Sequence, residues 1–184
     1  MENVFLIGPV LFVVIVSILE RVTPNYNWKT DYVSELSLGK YGWIQKANFI
    51  FCGVCVTGLC LMLAKQSPDI AIKVGWYLGS LLGFVTISAG VWDTDPHGKT
   101  FSRNGKIQDK AYQIGMAGIG AAYFLIGWGY RSNPLVMAVS WGVAIFSWIW
   151  WQYGYKIGIP TGIAQRTVIY SALLWLVAMA VFIS

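Results

Sequence analysis

Six apolar runs, each close to the length of a bilayer crossing, account for most of this chain. They cover Val4–Val22, Ile44–Ala64, Ile72–Trp92, Ala111–Tyr130, Pro134–Tyr155 and Ala164–Ile183. A bilayer core takes about 20 apolar residues of helix, and lipid offers backbone amides no partner outside the helix. The expected fold is therefore all-α, a bundle of six transmembrane helices forming one domain over residues 1–184. Only 11% of the residues are charged, against roughly 25% in an ordinary soluble domain, which leaves too little polar surface for a water-facing shell. The first run has no basic segment before it and no small-residue cleavage pattern after it, so it reads as a retained helix.

Polar breaks separate the runs at Thr23–Trp43, Lys65–Ala71, Asp93–Lys110, Arg131–Asn133 and Lys156–Ile163. Ser132-Asn133-Pro134 places a capping residue before a proline suited to a helix start. Trp43, Trp76, Trp92, Trp128, Tyr130 and Tyr153 lie near run ends, as an interfacial aromatic belt requires. Gly75, Gly79 and Gly83 recur every four residues, with Gly90 seven further on, and let another helix approach closely. Such glycine-rich faces also suit protein partners. Cys52 and Cys55 form a C-x-x-C within an apolar run, read as small packing residues rather than a redox or metal pair.

The formal charge is +5. No nucleic-acid-binding pattern accompanies it, so no nucleic acid partner is expected, and the excess fits membrane orientation. The first, third and fifth loops with their flanks hold ten Lys and Arg, and the other side holds Lys65, Lys73 and Arg131. By the positive-inside rule the odd loops are cytoplasmic in a multi-pass protein of the cell membrane. Membrane lipids are its expected partners.

Six of the eight acids and the single histidine, His97, also lie on that side. Asp31, Ser34 and Glu35 share a face if their segment is helical. Asp93 and Asp95 form an Asp-x-Asp that a divalent cation can bridge beside a phosphate, with His97 as acid or base; a plain Asp-Pro turn explains the same residues, and no metal ligand is assigned. Gln108 and Asp109 open the fourth run. Gln165 and Arg166 open the sixth, where Arg166 either clamps an anionic group or ties the bundle together by pairing with Asp31, Asp93 or Asp95. These ten residues are the candidate ligand site. Few ionisable residues lie mid-run, which disfavours an ion path. The only histidine is in a loop, which disfavours haem. The residues assign no cofactor and no reaction.

DYVSEL before the second run, Asn48 and Gly53 within it, GVWDTDP after the third, GKIQD before the fourth and GIAQR opening the sixth resemble, in this order, the prokaryotic membrane family called domain of unknown function 998. The resemblance spans nearly the whole chain. The family pattern usually has histidine where this chain has Gln108, which implies that a catalytic histidine there is lost. The family is distantly similar to six-helix DRAM-like proteins and to accessory proteins of GPI-lipid remodelling, which implies lipid handling by analogy. Those relatives hold the first loop on the lumenal side, opposite to the charge count. Two functions compete: a site that binds or modifies a lipid headgroup, and a non-catalytic subunit or scaffold of a larger membrane complex.

Overall fold

The computed structural model describes residues 2–96 and 102–183. His97 lies outside the described residues. Six long helices follow one another: α1 (Ile7–Val22), α2 (Gly42–Gln66), α3 (Ile70–Val91), α4 (Arg103–Gly129), α5 (Pro134–Tyr153) and α6 (Thr161–Ile183). A separate turn of helix, Glu2–Phe5, precedes α1, and short 3-10 segments occupy Val33–Leu38 and Gly154–Ile157. No strand occurs among the described residues.

The helix ends follow local chemistry. Asp69 accepts from the Ala71 and Ile72 amides and starts α3. Ser102 accepts from the Gly105 amide and starts α4. Asn133 accepts from the Val136 amide, with Pro134 in the first turn of α5. Each satisfies one or two of the amides a helix N-terminus leaves open.

Four of these helices, α2, α3, α5 and α6, are long and apolar enough to cross a membrane. The other two differ from the expected even spans for identifiable reasons. Helix α1 has 16 residues, roughly 24 Å at 1.5 Å per residue. Helix α4 starts at Arg103, two turns ahead of its apolar run, so Arg103, Lys106, Asp109 and Lys110 make its first turns polar. Large apolar side chains nonetheless point outward around the molecule. Leu135 is 72% exposed, Leu174 70% and Val181 62%. Water-soluble surfaces do not carry apolar cover on that scale.

Helix α3 packs between α2 and α4, and its glycine stripe permits this. A methyl group on Gly83 would stand 2.6 Å from the Gly53 carbonyl oxygen, and one on Gly53 would stand 2.7 Å from the Ile87 amide. Backbone meets backbone at that crossing. A methyl on Gly75 would press on Ile126 of α4. Gly79 is looser, with Cys60 Sγ at 3.5 Å and Ala122 at 3.7 Å. The stripe is thus spent on this chain's own helices. The three cysteines are free and buried; Cys55 packs against Gly8 and Cys60 beside Gly79.

The loops after α1, α3 and α5 meet at one end. Ile163 N–H donates to the Lys29 carbonyl (3.1 Å), the Thr161 hydroxyl to the Thr30 carbonyl (2.5 Å), and the Ser34 hydroxyl to Thr94 Oγ1 (3.4 Å). Gly162 makes the contact possible, because a methyl there would lie 2.6 Å from the carbonyls of Trp28 and Asp31.

Candidate functional site

Behind the meeting point of these loops lies a cavity of about 300 Å³, to which all six helices contribute side chains. Helix α4 supplies the longest wall. Gly105, Gln108, Tyr112, Gly115, Ile119 and Tyr123 line it, a spacing of three and four that is one face of a helix. Helix α6 contributes Gln165, Val168 and Ala172 in the same rhythm. The ends differ in character. Ser34, Thr94, Asp95, Gln108, Asp109 and Gln165 gather at the loop end, whereas Phe12, Phe49, Leu82, Ile119 and Leu173 wall the interior. Asp109 and Tyr123 are fourteen positions apart on α4, roughly 21 Å along the axis.

The mouth is held by ordinary hydrogen bonds. Gln165 Oε1 accepts the Val33 N–H at 2.8 Å, pinning the 3-10 segment to α6. Asp95 Oδ2 accepts the Ser102 N–H at 2.6 Å. Gly105 is small because the Asp95 carboxylate occupies the space of a side chain there. Asp109 accepts from Gln113 Nε2 at 2.9 Å. Glu35 accepts the Tyr32 N–H at 3.0 Å, closing its own turn. Burial pushes the Tyr32 phenol up from its usual value, with the carboxylates of Glu35 and Asp109 adding to the shift, so Tyr32 stays neutral and able to donate.

Three polar atoms along the α4 wall are buried without a hydrogen-bond partner among the described residues: Gln108 Oε1, Tyr112 Oη and Tyr123 Oη. Tyr123 is 2% exposed, and its ring stands edge-on to Trp175 at 4.6 Å. Leaving such a group unpaired costs roughly 1–3 kcal/mol, and buried polar groups ordinarily find a partner in protein, water or ligand. All three residues face the cavity.

Five of the ten sequence candidates line this cavity: Ser34, Asp95, Gln108, Asp109 and Gln165. Four do not. Arg166 is buried at 5% exposure in a closed network. Its Nε donates to Glu20 Oε1 at 2.6 Å. Its Nη1 donates to the carbonyls of Asp31 and Gly162, both at 2.9 Å. Its Nη2 donates to the Tyr26 hydroxyl, which itself donates to the Tyr32 carbonyl at 3.0 Å. The ion-pair partner is Glu20, not the carboxylate of Asp31, Asp93 or Asp95. The Asp31 side chain turns back on its own loop, accepting from the Asn27 amide and the Thr30 hydroxyl, both at 2.8 Å. Asp93 pairs with Lys46 at 2.5 Å in the open. The Asp-x-Asp is therefore split, one carboxylate facing a lysine and the other a helix start, and among the described residues no group of three or more acids, cysteines or histidines gathers for a metal. Glu35 completes its turn. Burial also raises the Tyr26 phenol, against the opposing Arg166 charge, so Tyr26 remains a neutral link.

Sequence reasoning missed Tyr32, Tyr112, Tyr123, Thr86 and Ser147, all in the lining. The signal for the α4 pair was the continuation of the Gln108 face by three-and-four steps through Tyr112 to Tyr123. Glu20 carries no local signal of its role, because its partner Arg166 lies 146 positions away.

The fold and site define a class: a helical, multi-pass membrane protein with an internal cavity, polar at its loop end and apolar within. The family described as protein of unknown function, DUF998, matches residues 6–182, and the chain belongs to that family. No curated protein and no solved structure matches it.

Proposed function

We propose that the cavity binds a membrane amphiphile, its polar head held at the mouth and its chain lying along α4 and α6. The observation carrying this reading is one continuous cavity with two chemistries, where Gln108, Tyr112 and Tyr123 present unmatched polar atoms on a single helix face. A volume of about 300 Å³ is at the small end of ligand sites, roughly 300–1,000 Å³, and suits a single chain better than a two-chained lipid. Ser34, Asp95, Gln108, Asp109 and Gln165 would hold the head. Asp31, Glu35 and Arg166 would hold the loops that shape the mouth, and Asp93 would sit at its rim. His97, two positions after Asp95 in the sequence, remains a candidate for the same site. The reading further takes residues 1–184 as one domain of six spans in the cell membrane, α1 and α4 completing the bundle, with the odd loops cytoplasmic by charge. Binding is the function proposed.

Extraction of the purified full chain and mass spectrometry of the bound lipids tests this. The expected result is a co-purifying amphiphile depleted by Thr86→Phe, which fills the cavity from α3, and retained by Asp93→Asn. Equal recovery from all three proteins would remove the reading.

A further inference from the structure

We propose that the head accepted at this mouth carries a protonated amine rather than a bare phosphate; this rests on the amphiphile reading above and narrows it. Among the described residues, the charged side chains lining the cavity are Asp95 and Asp109. Among the described residues, the cations near the mouth are paired elsewhere or are exposed outside the lining, Arg103 among the latter. Arg166 is enclosed with Glu20, Lys46 pairs with Asp93, and Lys106 and Lys110 are exposed and outside the lining.

The position where an anion would ordinarily dock is already filled. The start of α4 would attract a phosphate through its free amides. There Asp95 takes the Ser102 N–H at 2.6 Å and Ser102 takes the Gly105 N–H at 3.0 Å. A phosphate would have to displace a carboxylate and then stand beside Asp109.

Beside the hydroxyls of Tyr32, Ser34 and Thr94, which can donate, the charge the mouth offers is all on acceptors. Gln108 Oε1 has no donor. Asp109 uses one oxygen on Gln113 and has the other available among the described residues. An ammonium brings three donors and no acceptor, which matches that set. The carboxylates alone would be only an acidic edge. Tyr123, more than nine-tenths buried with its hydroxyl unmatched and facing the same cavity, marks the space beneath them as built for an occupant.

The test uses the full chain in a neutral maltoside detergent doped separately with dodecylammonium, dodecyl phosphate or dodecanol at equal mole fraction. Affinity is read from the shift in thermal unfolding followed by tryptophan fluorescence. Dodecylammonium is expected to bind about tenfold more tightly than dodecyl phosphate, the worth of one charge-assisted hydrogen bond. Asp109→Asn should erase that preference, and Asp109→Glu should restore it. Equal or better binding of dodecyl phosphate, or a preference that survives Asp109→Asn, overturns the amine inference while the amphiphile reading stands. Failure of all three probes to bind, or identical binding to a folded Thr86→Phe protein, overturns the amphiphile reading itself. Ala172→Leu, which intrudes from α6, replaces Thr86→Phe if that variant does not fold.

Discussion

Arg166 and Asp93, both charged and both outside the cavity lining, carry opposite weight. Arg166 is buried and spends donors on Glu20, Tyr26 and two carbonyls, so its removal strands the part-buried Glu20 carboxylate. Arg166→Gln is expected to cost about 3–5 kcal/mol, seen as a large drop in the thermal midpoint in detergent. A loss under about 1 kcal/mol would mean that the network is not what joins α1 to α6. Asp93 is half exposed where it meets Lys46, and an exposed pair is worth at most about 1 kcal/mol. Asp93→Asn should therefore leave stability nearly unchanged. The same pair of variants separates structure from binding, because neither side chain lines the cavity.

At the scale of helices, the α2–α3–α4 layer depends on how closely its backbones approach. The two glycines of one stripe should respond differently to the same added methyl. At Gly83 the methyl meets the Gly53 carbonyl oxygen at 2.6 Å and the Thr57 amide at 2.7 Å, and backbone cannot give way cheaply. At Gly79 the nearest atoms lie at 3.5 and 3.7 Å, ordinary contact distances, and alanine in a helix is favoured over glycine by roughly 0.5–1 kcal/mol. Gly79→Ala should be neutral or stabilising and Gly83→Ala destabilising, as measured by unfolding in detergent or by the yield of folded protein. Reversal of that order would show that α2 and α3 do not cross at Gly53 and Gly83.

For the whole molecule, the decisive geometry is three loops gathered over one end of a helical bundle. The orientation proposed from charge puts that end in the cytoplasm. Ser102→Cys in a background with Cys52, Cys55 and Cys60 replaced by alanine should react with an impermeant thiol reagent only after cells are permeabilised. Labelling of intact cells would invert the orientation. The cavity would then open to the outside, and its ligand would have to be drawn from the opposite leaflet.

Hydrophobic periodicity and length made the α-helical membrane class legible, because every backbone amide in lipid must be satisfied within its own helix. The run ends, Asn133 and Pro134 among them, were readable for the same local reason, and so was the close approach at Gly75 and Gly83, though not its absence at Gly79. The polar end of the molecule was legible too, since odd loops of an antiparallel bundle must share a side. Which polar residues on that side face one another was not. Glu20 meets Arg166 only because α1 and α6 pack side by side, and Asp93 and Asp95, two residues apart, part company because α3 ends between Lys46 and the start of α4. The spacing of Gln108, Tyr112 and Tyr123 puts them on one helix face, but only the packing of the other five helices around that face left a cavity in front of it and made the face a site. Local sequence sets which elements form and which way they run; the contents of a site depend on contacts between residues far apart in the chain, which exist only once the bundle has closed.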